Sequence, residues 1–215
     1  MASRVADIRK SVLTLALPVT VSSLLQRTEG IVAVFLVGGL GVIPIAAVGL
    51  GQLLAFIATT LVSGLSVGSN VIIAQLWGAK RHRDAGEAAR HFLGLSIAVS
   101  LVLAALGMTL NGLAMHLLGA ESGVIALAIP YSTIIFLVIP FTVLLQVLSS
   151  ILQGTGDTRT PMYAMILVNL LHIGIAYPLV YGYWGLPALG VKGAAIAVGI
   201  AEAIGVAFLW WRSRP

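Results

Sequence analysis

IIFLVIPFTVLLQVL, residues 134–148, contains no Asp, Glu, Lys or Arg, and its apolar side chains follow one another without the alternation of a half-buried strand. It lies inside a longer gap, because no charged residue stands between Glu121 and Asp157. The same is true between Glu29 and Lys80, between Arg90 and Glu121, and between Arg159 and Lys192. Charged residues make up 9% of the 215, against roughly a quarter in a soluble domain, and the mean hydropathy is +1.07. About 20 apolar residues cross the hydrocarbon core of a bilayer, so each gap holds at least one crossing. Backbone polar groups in lipid must be satisfied within a helix or a closed barrel. A barrel shows short segments of alternating polarity. Neither residues 134–148 nor SIAVSLVLAAL, residues 96–106, has that pattern. The chain therefore reads as an all-α, multi-pass membrane protein.

Breaker residues divide it into about six spans, over residues 11–38, 44–77, 91–118, 124–152, 162–184 and 191–211. The long gap after Glu29 is split at Gly38-Gly39-Leu40-Gly41, with Pro44 just beyond. Ten of the 12 basic residues then fall on one side: Arg4, Arg9, Lys10, Lys80, Arg81, Arg83, Arg90, Arg159, Arg212 and Arg214. Lys192 falls on the other side, and Arg27 lies within the first span. The positive-inside rule predicts that both termini are cytoplasmic, and an even span count requires them to share a side. The apolar stretch after Lys10 runs past the length of a signal-peptide core and lacks a small-residue cleavage site, so no cleaved signal is expected. Topology accounts for the net charge of +5 without a nucleic-acid partner. With no Cys, disulfides and thiolate metal sites are excluded.

Ionisable groups inside spans are costly and mark function by default. Four stand out: Arg27 and Glu29 in the first span, His172 in the fifth and Glu202 in the last. Arg27 and Glu29 are two residues apart and do not face each other on a helix. Glu29 must pair with another helix, face water or carry a proton. Burial disfavours the charged form of a carboxyl, so protonation there can report the state of a cavity. The plainer readings are a pore-mouth carboxylate for Glu29 and interhelical hydrogen-bonding groups for Glu202 and His172. Pro18, Pro130, Pro140 and Pro178 lie inside apolar runs, where neighbouring helices can re-satisfy the backbone. No Gly-rich loop ending in Lys-Ser or Lys-Thr and no His-Glu-x-x-His is present, so neither an enzyme nor a cofactor is indicated.

Several stretches, in order, resemble the multidrug and toxic compound extrusion (MATE) family. Leu17-Pro18 resembles the family's "LP", and Val37-Gly38 with Leu40-Gly41 its "VGxLG". Ala46-Ala47-Val48-Gly49 begins the second span as in the family, and Ala74-Gln75 with Gly78-Ala79 resembles "AQxxGA" at its end. Leu117-Leu118-Gly119-Ala120, Pro130-Tyr131 and Gly193-Ala194-Ala195 are similar as well. The sharpest match runs from Gly154 through Gly156, Asp157, Thr158, Arg159 and Pro161 to Met162, close to "GxGDTRTPM". Read as structure, that loop is a turn in which Asp157 and Thr158 cap the next helix and Pro161 suits its first turn.

The resemblance implies a secondary transporter of a plasma membrane of the bacterial inner-membrane type, exporting organic cations in exchange for protons or sodium ions. It also implies two six-span lobes around a central cavity, with residues 1–215 supplying a single first lobe. A homodimer, one lobe excised from a larger transporter, or a non-transporting assembly protein or degenerate lobe all fit that length. A flippase for a lipid-linked pyrophosphate would place several basic residues in the cavity, where only Arg27 is available. The family carries an acid in "VDTxFVG" of span one, where this chain has Ala33, and another shortly after "NLLN" of span five, where it has Ala176. The "NLLN" itself reads Asn169-Leu170-Leu171-His172. Glu29 precedes Ala33 by one helical turn on the same face, so it is expected to take over the coupling role. Glu202 is the second candidate carboxyl, and Arg27, Asn169 and His172 are expected to line the same cavity.

Overall fold

The computed structural model describes the backbone of residues 2–213 and the side chains of residues 14–213. Six long helices follow one another: α1 Ala2–Gly38, α2 Val42–Gly78, α3 His82–Leu117, α4 Ser122–Gly154, α5 Arg159–Tyr181 and α6 Val191–Arg212. Each contains a stretch long and apolar enough to cross a membrane. Among the described residues there is no strand. The number and order of spans are those expected from the charge gaps, and α1, α4 and α5 run unbroken through Pro18, Pro130, Pro140 and Pro178.

Helix ends depart from the expected ones where polar sequence is itself helical. α1 begins at Ala2 and α3 at His82, each about nine residues before the apolar stretch. The 36 residues of α3 extend about 54 Å at ~1.5 Å per residue, well beyond a ~30 Å hydrocarbon core. Its His82 end therefore projects from the apolar layer, with an Arg81–Asp84 ion pair of 2.6 Å at its first turn. α5 stops at Tyr181, short of residue 184, because Gly182 adopts the left-handed conformation (φ 76°) and its N–H bonds to the Pro178 carbonyl at 2.8 Å. The chain then folds back, and Leu189 N–H donates to the Leu179 carbonyl at 2.9 Å.

α4 is the centre of the bundle, packed against α2, α3 and α6, while α5 packs against α6 and α1. Small residues set these approaches. α6 buries Gly193, Ala194, Ala195, Ala197, Ala201 and Gly205. At the end of α4, a Cβ on Gly154 would stand 2.8 Å from the Asn70 carbonyl oxygen and 3.1 Å from the Ile73 Cβ. Between α3 and α4, buried Asn111 donates to the Ile129 carbonyl at 3.0 Å and to Thr133 at 3.1 Å, and it accepts from Ser132 at 2.8 Å.

Lys80, Arg81, Arg83, Arg90, Arg159 and Arg212 all fall at the end of the bundle that carries the α2–α3 and α4–α5 loops; Lys192 falls at the other. The side chains of Arg4, Arg9 and Lys10, and residue Arg214, lie outside the described residues.

Replacing Gly154 by Ala tests the α2–α4 contact. The new methyl meets backbone that cannot turn aside, so Gly154→Ala is expected to destabilise the bundle by about 1–3 kcal/mol. Gly64→Ala, where a Cβ meets nothing within 4 Å, is expected to be neutral or stabilising. Thermal unfolding of the two variants in detergent compares them directly, and equal midpoints would mean that α2 and α4 are free to part.

Candidate functional site

Glu29 on α1 and Glu202 on α6 are far apart in sequence but line one cleft between α1, α2, α4 and α6. The cleft comprises two adjoining cavities of about 280 and 300 Å³, and Gln26, Arg27, Glu29, Phe56, Thr59, Thr142 and Glu202 line both. The helical periodicity of α1 places Ala33 in the same wall as Glu29, one turn further on, where Gln52 and Tyr131 also face the cavity.

The two carboxyl groups are held differently. Glu202, 4% exposed, accepts a hydrogen bond from the Thr142 hydroxyl at 2.6 Å, which ties α6 to α4. Glu29 has one buried oxygen, Oε1, with no hydrogen-bond partner among the described residues. Beside it, the Gly30 carbonyl accepts from Gln52 Nε2 at 2.9 Å. Arg27 lines both cavities but forms no ion pair with either carboxylate among the described residues, where the pairs are Arg81–Asp84 and Glu87–His91. Two ionised carboxylates in one cleft repel each other. A proton or a small cation relieves that repulsion, which is the chemistry the arrangement offers.

Asn169 and His172 do not join these walls, so the expectation of a shared cavity with Glu29 is not met. α5 packs directly on α1 rather than across the cleft: Asn169 Nδ2 donates to the Leu25 carbonyl at 3.3 Å and to the Met165 carbonyl at 2.9 Å. His172 is fully buried, and neither ring nitrogen has a partner among the described residues. Ala176 packs with Leu36 and Ala197 in an apolar cluster. Sequence reasoning also missed part of the site. Gln26, Gln52, Thr142 and Gln146 are neutral hydrogen-bonding side chains within apolar runs, and a search for ionisable groups passes over them.

The family model described as MatE matches residues 18–178. The chain belongs to the MatE family. It is 31% identical over 185 residues to the "Probable multidrug resistance protein YoeA" of Bacillus subtilis, covering 86% of this chain and 40% of that protein. It is 29% identical over 205 residues to the "Probable multidrug resistance protein NorM" of Thermotoga maritima, covering 95% of this chain and 44% of the relative. A crystal structure of MATE in the bent conformation superposes with a TM-score of 0.85 at 28% identity, over 94% of this chain and 44% of the other. The MATE chain described here thus spans less than half the length of these relatives.

In this MATE lobe the Gly154–Pro161 loop is a compact turn. Gly156 takes a positive φ of 91°, which favours glycine there. Asp157 accepts from the Thr160 N–H at 3.0 Å and from the Thr160 hydroxyl at 2.6 Å, so its carboxylate caps α5. Thr158, expected to share in capping, makes no side-chain cap bond; Thr160 is the second member of the turn instead. Pro161 stands third in α5, where a missing N–H costs nothing, and Arg159 is exposed.

Loss of the Asp157 carboxylate removes both bonds. Asp157→Ala is expected to lower the stability of the MATE lobe by about 0.5–2 kcal/mol, whereas Asp157→Ser, which keeps a capping oxygen, recovers most of that loss. Thermal unfolding of the two variants measures it, and equal destabilisation would assign Asp157 a role other than capping.

Proposed function

We propose that this chain is the first lobe of a MATE-type secondary transporter that exports organic cations in exchange for protons or sodium ions, with Glu29 and Glu202 as its coupling carboxyls. The observation that carries this reading is their convergence in one cleft. They are the two carboxyl residues of the apolar spans, and they meet from α1 and α6, with one oxygen of Glu29 left unpartnered. The positions that match the family's acids, Ala33 and Ala176, carry none. Arg27, beside the pair, sets a local positive charge that a cationic substrate must avoid or displace. No chemical step and no cofactor enter this reading.

By the positive-inside rule, the end of the bundle with Lys80, Arg81, Arg83, Arg90, Arg159 and Arg212 faces the cytoplasm, in a membrane of the bacterial inner-membrane type. A transporter of the relatives' size needs a second six-helix body opposite this one, supplied by a second copy of the chain or as the other lobe of a larger transporter of which these residues are part. Both ends of the lobe are on one side, which allows either arrangement.

The test is efflux of ethidium from proteoliposomes after a pH jump, with Glu29→Gln and Glu202→Gln compared with the unaltered chain. Each substitution is expected to slow proton-driven efflux at least about tenfold, equivalent to ~1.4 kcal/mol. Unchanged efflux in both would remove the pair from coupling. If the unaltered chain moves nothing until the second lobe is supplied, coupling requires that lobe.

A further inference from the structure

The carboxyl cleft does not end at the carboxyls. A third cavity, of about 330 Å³, continues from it toward the Gly154–Pro161 loop. Gln26, Ser63, Leu145, Gln146 and Met165 line both this cavity and the one holding Glu29 and Glu202. At its far end stand Gln153, next to Gly154, and Pro161 in the first turn of α5. No Asp, Glu, Lys, Arg or His lines it, and most of its lining residues are serines and amides from α1, α2 and α4, set among Val67, Val71, Leu145 and Met165.

The hydrogen bonding of that wall gives it a direction. Ser22 donates to the Pro18 carbonyl at 2.9 Å, Ser63 to the Thr60 carbonyl at 2.6 Å, and Asn70 Nδ2 to the Ser150 carbonyl at 3.0 Å. The two serine hydroxyls have committed their protons to backbone and offer lone pairs to the cavity, while Asn70 keeps a second N–H and Gln26, Gln146 and Gln153 bring both donors and acceptors. Ser66, 5% exposed, lines the cavity, and its hydroxyl has no partner among the described residues. A buried hydroxyl in a roomy polar site is satisfied by water, and a space of this volume holds on the order of ten waters.

The other direction is closed. Beyond Ala33, the buried side chains of Val37, Val48, Tyr131, Val180 and Val191 pack into one cluster between the carboxyl pair and the α5–α6 connection. Along the bundle axis the carboxyls are therefore cut off from that end, while the cavities also open sideways past the exposed side chains of Gln26, Phe56 and Val67.

We infer that the serine- and amide-lined cavity is a hydrated half-channel through which Glu29 and Glu202 exchange protons with the solution on the side of the Gly154–Pro161 loop. The inference rests on the coupling role proposed above for the two carboxyls. The ligand of the cavity is water, and the neutral wall of hydroxyls and amides carries a hydrated proton without a fixed charge to trap it. Among the residues lining the carboxyl cavities, the other charged or titratable groups are Arg27 of α1 and Tyr131 of α4; α2 and α5 contribute none.

The absence of Cys makes this directly testable, because a single introduced thiol has no background. Ser66→Cys and Ser149→Cys place thiols in the cavity, and Val48→Cys places one in the apolar cluster. Arg159→Cys and Trp184→Cys, both at exposed positions, report the two sides. Vesicles of either orientation are treated with a small membrane-impermeant cationic thiol reagent. Ser66→Cys and Ser149→Cys are expected to lose their free thiol from the side that labels Arg159→Cys and from that side alone, with Val48→Cys unreactive from both. Modification at either cavity position is also expected to stop proton-driven efflux. Protection of both cavity thiols from the Arg159 side, or their labelling from the Trp184 side, overturns the half-channel. Efflux that persists after full modification overturns the proton route. Labelling needs no transport, so failure of the coupling reading is separable: Glu29→Gln and Glu202→Gln would then leave efflux intact whatever the thiol pattern.

Discussion

Backbone N–H and C=O groups in hydrocarbon have no water to bond, and everything else in this protein follows from that constraint. It makes the apolar stretches of the charge-free gaps helical, unbroken even by Pro130 and Pro140 in the central α4. It also makes every remaining side-chain donor and acceptor in the bundle consequential. Asn111, Ser132 and Thr133 answer it by bonding to one another and to backbone between α3 and α4, and Asn169 does so between α5 and α1. Of the buried side-chain atoms without a partner among the described residues, Glu29 Oε1 and Ser66 Oγ belong to the cleft and the serine-lined space beyond it, while those of His172 stand apart in α5.

Polarity is therefore divided along the bundle axis rather than around it. Toward the α1–α2 and α5–α6 connections, α1, α2, α4, α5 and α6 meet through Ala33, Val37, Val48, Tyr131, Val180, Val191 and Ala194. Toward the Gly154–Pro161 loop, α1, α2 and α4 present hydroxyls and amides to a common space. The carboxyl pair lies where these two regimes meet. The same helices serve both, and α2 and α4 stay in contact in each half, at Gly51 and Tyr131 in one and at Asn70, Ser150 and Gly154 in the other. Gly51 illustrates the closed half: it leaves room for the Tyr131 ring, which a side chain at that position would strike.

Relative to the pattern the resemblance implies, the first-span acid stands one helical turn away and the second stands on another helix. At the matching positions, Ala33 borders the cavity and Ala176 is dry core with Leu36 and Ala197. A carboxyl at 29 in place of one at 33 keeps the face of α1 and shifts the charge about 6 Å along the axis, at ~1.5 Å per residue. That displacement brings it level with Glu202 on α6 and with the mouth of the serine-lined cavity. Under the proposed coupling, the site is rebuilt nearer the loop side, with its second carboxyl contributed by α6 instead of α5.

Span number, order and approximate limits were legible in the sequence, because hydrophobic length and the spacing of charges are one-dimensional properties that the bilayer reads directly. The prominence of Glu29 and Glu202 was legible for the same reason, since a carboxyl in an apolar run stands out from its neighbours alone. What only the tertiary structure decided was which polar groups meet. Periodicity puts Glu29 and Ala33 on one face of α1, but only packing on α4 brings Glu202 to it with Thr142 as its partner. Packing likewise turned Asn169 and His172 away from the cleft, against the sequence expectation, because α5 seats directly on α1. The neutral wall of Ser22, Ser63, Ser66, Gln146 and Ser149 is scattered over three helices, and no local pattern marks it. Its members become a site only when close packing elsewhere leaves them facing the same empty space.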